Sequence, residues 1–152
     1  MRDKNLYVMV GLPRSGKSTV AKEIAENEVG TIVNRDTLRL VAHGHVFRAE
    51  AEPLITFIEE VMVRSLMSTG TKSIIIDSTN LLPAFRNKWR TLAKEFDYDI
   101  EFICVQLHPD ECKKRAVLNS RDDLIPIITK MSGYMSYPDS NHMKGWDLED
   151  ID

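Results

Sequence analysis

The sequence predicts an α/β domain built on a parallel sheet with helices on both faces, and three observations support this class. Short apolar segments alternate with longer segments that have apolar residues at helical spacing. A glycine-rich turn joins the first predicted strand to the first predicted helix. The chain has 152 residues, 43% of them hydrophobic and 28% charged, which suits one compact core. Because strands that alternate with helices form parallel βαβ units, we expect one sheet of about four to five strands.

Each element has its own local signal. The predicted strands are residues 6–10, 31–33, 73–76 and 100–107. The predicted helices are residues 17–27, 53–69, 83–95, 109–118 and 126–137. Pro53 suits a first helical turn and Gly70 suits a helix stop. In the second helix the apolar residues near helical spacing are Leu54, Phe57, Ile58, Val61 and Leu66. In the third helix the expected inner face is Phe85, Trp89, Leu92 and Ala93.

Charge and composition limit the class of protein. The net charge is −3, with 13 Lys and Arg against 10 Asp and Glu in residues 1–90, and 7 against 13 in residues 91–152. The whole molecule is therefore not a basic nucleic-acid binder, although a basic groove remains open to it. We expect one folded domain over residues 1–137 and an acidic tail over residues 138–152. The sequence shows no signal peptide, membrane helix or disulfide framework, so a cytoplasmic location without membrane contact is expected, and a homo-oligomer is left open.

The strongest motif is a phosphate-binding turn between the first strand and the first helix. Residues 11–18 match G-x-x-x-x-G-K-[ST] at every fixed position. The glycines allow backbone N–H groups to point at phosphate oxygens, and the following helix adds the positive end of its dipole. We therefore expect ATP or GTP to bind here with Mg²⁺. The predicted nucleotide-binding residues are Gly11, Leu12, Pro13, Arg14, Ser15, Gly16, Lys17, Ser18 and Thr19, of which Thr19 is more typical of a helix residue than of a ligand.

The second predicted strand is followed by Asn34-Arg35-Asp36-Thr37-Leu38-Arg39. Ligands of open α/β sheets bind beyond the carboxyl ends of the strands. An Asp at this position can accept the proton of an attacking hydroxyl, and an Arg one helical turn later can hold an acceptor phosphate. Asp36 is thus a candidate general base and Arg39 a candidate acceptor clamp. The alternative is that Asp36 caps a helix that starts at Thr37.

The third predicted strand ends in Asp77-Ser78-Thr79-Asn80. Asp77 is a candidate magnesium ligand together with Ser18, because a second carboxylate commonly lies beside the phosphate-binding turn. No Glu follows Asp77, which favours transfer to a substrate over hydrolysis. Asn80 either caps the next helix or contacts the acceptor.

Cations near the last predicted helices suggest a lid. Arg115 ends one helix and Arg121 stands in the polar link after it. Both could neutralise charge on a transferring phosphoryl group, whereas dipole complementation is the alternative for helix-terminal cations. With Lys17 and Asp36, these two arginines complete the predicted catalytic set.

Taken in order, these motifs resemble the 5′-kinase domain of the bacteriophage polynucleotide kinases. The resemblance covers residues 6–137, and the Asn-Arg-Asp-x-x-Arg block is its most specific part. It implies a P-loop kinase fold with an arginine-bearing lid, and ATP-dependent phosphorylation of a 5′-hydroxyl on DNA or RNA in a DNA or RNA repair setting. In this resemblance Asp36 is the general base, Arg39 the clamp on the 3′-phosphate of the acceptor, and Arg121 the lid arginine on the donor phosphates, with Arg115 beside it. The location would be the host cytoplasm if a phage encodes the chain.

Two other functions remain open from the sequence. The same scaffold serves kinases of small-molecule hydroxyls, such as nucleosides, nucleotides, sugars or antibiotics, and of modified bases, which the acidic net charge favours. A nucleotide-dependent switch ATPase is the third hypothesis.

Overall fold

The computed structural model describes residues 3–138, and within them four parallel strands form one sheet. The strands are β1 (Asn5–Val10), β2 (Thr31–Asn34), β3 (Ser73–Asp77) and β4 (Asp99–Cys104), in the order β2-β3-β1-β4. In register, Leu6 pairs with Ile74 of β3 and Ile100 of β4. This confirms the predicted parallel α/β fold. Because β1 lies between β3 and β4, the turn after β1 opens into the crevice where the strand order reverses.

Six α-helices and two short 3₁₀ turns accompany the strands in the described part of the chain. The helices are α1 (Lys17–Glu28), α2 (Arg35–His43), α3 (Glu52–Ser68), α4 (Pro83–Phe96), α5 (Pro109–Leu118) and α6 (Ile125–Ser132). The 3₁₀ turns are Ala49–Ala51 and Asp122–Leu124.

The strand side chains build two apolar layers, one on each face of the sheet. Alternate residues of β1 separate between them, since successive side chains of a strand point to opposite faces. On one face Tyr7 and Met9 pack with Ala21 and Ile24 of α1. On the other face lies the larger cluster, which contains Leu6, Val8, Val10, Ile55, Val63, Ile74, Ile76, Trp89, Leu92, Phe102, Ala116 and Ile128. Helices therefore cover both faces, as expected.

The helix boundaries differ from the predicted ones where local signals compete. Helix α2 begins at Arg35 and its N-cap is Asn34, whose Oδ1 accepts a hydrogen bond from Thr37 N at 3.0 Å. The alternative that Asp36 caps a helix from Thr37 is thus wrong. Helix α6 ends at Ser132 rather than at residue 137, and strand β4 ends at Cys104 rather than at residue 107.

Two predicted helix faces are also corrected. The buried positions of α3 are Ile55, Glu59, Val63 and Met67, whereas Leu54, Phe57 and Val61 are 49%, 63% and 43% exposed. In α4, Phe85, which was predicted on the inner face, is 45% exposed, whereas Arg86 is buried. Arg86 is buried because its guanidinium donates to the carbonyl oxygens of Asn80 and Ser136 at 3.0 and 2.9 Å.

The proposed acidic tail falls outside the described residues except for Pro138, which is buried. Across residues 3–138, none of the helices combines the length and the apolar character that crossing a membrane requires.

Candidate active site

A cleft of about 590 Å³ lies at the carboxyl ends of the strands. Five parts of the chain line it: the turn after β1, the first turn of α2, the segment from Val46 to Glu52, the end of β3, and the segment from Arg115 to Tyr134. The cleft therefore collects the phosphate-binding turn, both acceptor candidates and both lid arginines in one place.

The phosphate-binding turn folds tightly against the sheet. A Cβ on Gly11 would lie 2.6 Å from the carbonyl oxygen of Val105, so only glycine fits there. Arg14 and Gly16 have φ values of 67° and 106°, the left-handed conformation that turns successive amides toward one side. Ser15 Oγ is buried and has no hydrogen-bond partner among the described residues. The turn is thus a concave polar surface that suits a phosphate group.

The nucleotide-binding residues predicted from the sequence divide into two groups. Those that line the cleft are Pro13, Arg14, Gly16, Lys17, Ser18 and Thr19. Gly11, Leu12 and Ser15 are buried behind it, and the Leu12 carbonyl accepts a hydrogen bond from Lys17 Nζ at 2.8 Å. Lys17 itself is only 8% exposed. Burial lowers its pKa, and the charges of Asp77 and Asp36 oppose that shift only in part.

Ser18 and Asp77 are adjacent, as the sequence suggested. Ser18 Oγ donates to Asp77 Oδ2 at 2.8 Å, and Asn34 Nδ2 donates to the same oxygen at 2.8 Å. Asn34 therefore serves twice, because its Oδ1 caps α2 while its amide nitrogen holds the carboxylate of β3.

These oxygens fit a magnesium ion. Mg²⁺ prefers oxygen ligands and is commonly held by one or two protein groups together with substrate phosphates. Ser18 supplies a hydroxyl and Asp77 a carboxylate at the edge of the turn. Within residues 3–138 no three His, Cys, Asp or Glu side chains form a metal-binding group. With one hydroxyl and one carboxylate, the pair suits a metal that takes further ligands from the phosphates of a nucleotide.

The first turn of α2 presents the two acceptor candidates to the cleft. Asp36 is 76% exposed, and its Oδ1 accepts from Arg39 Nη1 at 2.8 Å. Arg39 also donates from Nε and Nη2 to the two carboxylate oxygens of Glu52, at 2.9 and 2.8 Å. Three of its five N–H groups are used in this way, which leaves two for an incoming anion.

Glu52 is a site residue that the sequence analysis missed. It lies at the start of α3, 13 positions after Arg39, and no local spacing links the two. It also accepts from Arg35 Nη2 at 3.1 Å. Burial alone would raise the pKa of Glu52, but the hydrogen bonds from Arg39 and Arg35 outweigh it, and the pKa lies below its ordinary value. Its side chain therefore stays ionised and holds Arg39 in place.

Arg35 and Glu59 form a second ion pair next to Arg39 and Glu52. Glu59 is 2% exposed on the inner face of α3, where its carboxylate accepts from Arg35 Nη1 at 3.1 Å and from Ser78 Oγ. In the sequence, Glu59 is a charged residue on a helix face whose other positions, such as Ile55 and Val63, are apolar. That pattern could have identified Glu59 as a buried charge. Arg35 and Glu59 thus tie α2 and α3 to the end of β3.

The two candidate lid arginines, Arg115 and Arg121, also line the cleft. Arg115 Nη1 is 3.5 Å from the Arg14 carbonyl oxygen, beside the phosphate-binding turn. Arg121 is held by Asp123 through Nε and Nη2 at 3.0 and 3.1 Å. The hydrogen bond with Asp123 raises the pKa of Arg121, and the charge of Asp36 adds to the shift.

Asn80 does not belong to the acceptor site. It is 4% exposed, its Nδ2 donates to the Met9 carbonyl oxygen at 2.9 Å, and its Oδ1 accepts from Trp89 Nε1 at 3.0 Å. Both ends of the amide are thereby occupied in the core. The side chain caps no helix, since the N-cap position of α4 is Leu82. Its predicted role in acceptor binding is therefore wrong, and its role is structural.

The chain is similar to known proteins in sequence and in fold. The sequence matches the AAA domain family AAA_33 over residues 6–123. A bifunctional polynucleotide phosphatase/kinase from Schizosaccharomyces pombe (strain 972 / ATCC 24843) is 30% identical over 108 residues, which are 71% of this chain and 22% of that protein. A chain in the Pnkp1/Rnl/Hen1 complex is 32% identical with a TM-score of 0.65, over 76% of this chain and 40% of that one.

Other solved structures share the fold alone. A gluconokinase from Sinorhizobium meliloti 1021 is 15% identical with a TM-score of 0.64, over 92% of this chain and 79% of that one. The chain spans less than half the length of the two more similar relatives. From the matched residues, the chain belongs to the AAA domain family AAA_33, as a kinase-like P-loop domain related to polynucleotide kinase.

Proposed function

We propose that this chain transfers the γ-phosphoryl group of ATP to the 5′-hydroxyl of a polynucleotide. One observation carries the proposal: Asp36 and Arg39 lie 2.8 Å apart in the cleft that also contains Lys17 and Ser18. A 5′-terminal nucleotide carries its hydroxyl and its 3′-phosphate on one sugar. A carboxylate beside a guanidinium suits such an acceptor, because the first can accept a proton while the second binds an anion. The similarity to a polynucleotide phosphatase/kinase supports the same acceptor class.

The donor side of the reaction follows from the phosphate-binding turn. The backbone amides of the turn and the Lys17 ammonium would hold the β- and γ-phosphates. Arg115 and Arg121 would neutralise the charge that grows on the transferring group. When bound, Mg²⁺ would be held by Ser18 and Asp77 and would supply positive charge to the phosphates.

The transfer can be written with each proton and bond in place. As the 5′-oxygen forms a bond to the γ-phosphorus, Asp36 accepts the hydroxyl proton and the bond from the γ-phosphorus to the bridging oxygen breaks. ADP is the leaving group, and it takes the bonding electrons. Asp36 Oδ1 accepts from Arg39, so Asp36 Oδ2 is the oxygen that can take the hydroxyl proton without loss of that hydrogen bond.

A small-molecule kinase is the second candidate function. The fold is shared with a gluconokinase and with an APS kinase from Mycobacterium tuberculosis, and the net charge of −3 does not itself attract nucleic acid. A switch ATPase has less support, because no Glu follows Asp77 and the Asp36–Arg39 pair has no evident use in hydrolysis.

One labelling experiment separates these functions. The protein is incubated with γ-labelled ATP, Mg²⁺ and either a 5′-hydroxyl oligonucleotide of DNA or RNA, a 3′-mononucleotide, or no acceptor, with the Lys17→Met variant as the blank. We expect label in the oligonucleotide. Label only in the mononucleotide would favour a small-molecule kinase, and phosphate release that is independent of any acceptor would favour an ATPase.

A further inference from the structure

Phe47 is a half-exposed aromatic ring inside the cleft, and neither the motifs nor the phosphoryl-transfer chemistry accounts for it. It is 49% exposed and lines the cleft together with its neighbour Val46, which is 51% exposed. About half of the apolar surface of this side chain therefore stays in water. Exposed apolar groups within a polar cleft commonly mark a ligand contact.

The position of the ring is tied to the acceptor clamp. The guanidinium carbon of Arg39 lies 5.6 Å from the centroid of the Phe47 ring. Arg39 is itself fixed by two hydrogen bonds to Glu52 and one to Asp36. The chain reaches Phe47 through Gly44, which ends α2 in the left-handed conformation with a φ of 75° and returns the loop toward the cleft. The aromatic ring, the clamp and the base therefore form one continuous surface.

We propose that Phe47 is the stacking surface for the nucleobase of the acceptor's 5′-terminal nucleotide. This inference rests on the proposed function, and it assigns a substrate contact that the proposed function leaves unassigned. Base, 3′-phosphate and 5′-hydroxyl are substituents of one sugar, so an acceptor with its hydroxyl at Asp36 and its phosphate at Arg39 brings its base beside the clamp. Phe47 is the aromatic side chain that contacts Arg39 in the described part of the chain.

Stacking on a phenyl ring has a defined consequence for specificity. Every nucleobase has a π-face and Phe47 offers no hydrogen-bonding group, so the contact should tolerate all four bases. It should instead distinguish an acceptor with a terminal base from one without it. Stacking of one base on an aromatic ring corresponds to a loss of about 5- to 150-fold when the ring is removed.

The test compares two oligonucleotide acceptors that differ only in the 5′-terminal residue, one with its base and one abasic, both with a 5′-hydroxyl and a 3′-phosphodiester. For the base-containing acceptor, Phe47→Ala should lower kcat/KM by about 5- to 150-fold, whereas its kcat/KM for the abasic acceptor should fall by much less. Phe47→Trp should preserve the preference for a base. Phe57→Ala is the matched control, because Phe57 is 63% exposed on α3 and does not line the cleft.

Three results would overturn the inference. Equal losses on both acceptors would mean that Phe47 only positions Arg39. A base-dependent loss in Tyr134→Ala rather than in Phe47→Ala would assign stacking to the other exposed ring of the cleft, which is 41% exposed. No transfer by the wild type to either oligonucleotide would overturn the proposed function and this inference with it. As a binding readout that does not need turnover, the indole fluorescence of Phe47→Trp, read against a Phe57→Trp control, should be quenched by the base-containing oligonucleotide and not by the abasic one.

Discussion

Oδ1 of Asp36 and Nη1 of Arg39 lie 2.8 Å apart across one turn of α2, so the candidate base and the candidate clamp are hydrogen-bonded to each other. Arg39 is the more enclosed partner, with a side chain 16% exposed against 76% for Asp36. The guanidinium is anchored by Glu52, while the carboxylate keeps one oxygen on Arg39 and is largely exposed. The pair thus combines a fixed candidate anion-binding group with an exposed candidate proton acceptor.

We expect Asp36→Asn to lower phosphoryl transfer by about 10²- to 10⁴-fold, because the amide cannot accept the hydroxyl proton. ATP affinity should change little, since Asp36 belongs to the acceptor side of the cleft. The measurements are single-turnover transfer to a 5′-hydroxyl oligonucleotide and equilibrium nucleotide binding. Asp3→Asn is the matched control, as Asp3 is 78% exposed and precedes β1 at the opposite end of the sheet. Full turnover by Asp36→Asn would remove Asp36 as the base.

Glu52→Gln should weaken the hydrogen bonds that hold the Arg39 guanidinium, while Arg39 itself remains. We expect the KM for a phosphate-bearing acceptor to rise more than kcat falls, in the direction of Arg39→Ala but by less. The KM for an acceptor without a phosphate next to its reacting nucleoside should change less. A KM that rises equally for both acceptors would argue against Glu52 acting through the clamp.

Glu52→Gln should also change how the free energy of unfolding depends on pH. The pKa of Glu52 in the folded protein is depressed, so its stabilising effect is present at neutral pH and is lost as the pH falls through that pKa. Glu52→Gln should therefore lower the free energy of unfolding by about 1–2 kcal/mol at neutral pH, and the difference from the wild type should shrink in acid. Denaturant unfolding at several pH values measures both. A difference that grows in acid would contradict the depressed pKa.

Nucleotide binding should be linked to protonation of Lys17. Burial lowers the pKa of the free protein's Lys17, whereas bound phosphates favour the charged form and raise it again. Binding should then take up a proton at pH values between these two pKa values, and affinity should fall as the pH rises through that window. Titration calorimetry in buffers of different ionisation enthalpy measures the uptake. Lys17→Arg, which stays charged, should bind without the uptake that the wild type shows.

Asn80→Ala should destabilise the fold and leave the site unchanged. The substitution leaves the Trp89 N–H and the Met9 carbonyl without their buried partner, at a cost of about 1–3 kcal/mol. Unfolding by denaturant should show this loss, while the acceptor KM of the folded variant stays near that of the wild type. Asn87→Ala, at an exposed position of α4, serves as the control. A raised acceptor KM with unchanged stability would restore the original interpretation of Asn80.

Much of the site could be predicted because its signals are local. The phosphate-binding turn is defined by eight consecutive residues, Gly11–Ser18, whose glycines determine the backbone path directly. Asp36 and Arg39 are one helical turn apart, so helix geometry alone brings them to one side. The approximate limits of the strands and of most helices follow from apolar spacing in the same way.

By itself, then, the sequence determined the parallel α/β class, the phosphate-binding turn and the Asp36–Arg39 pair, since each depends on neighbours along the chain. Only the tertiary structure decided that Glu52 anchors Arg39, that Phe47 lies against the same guanidinium, and that Asn80 is buried. The physical reason is that these contacts depend on how α2, α3 and α4 pack on the sheet and on each other. A single sequence records which side chains can form a hydrogen bond, but the packing of the helices selects which partners they meet.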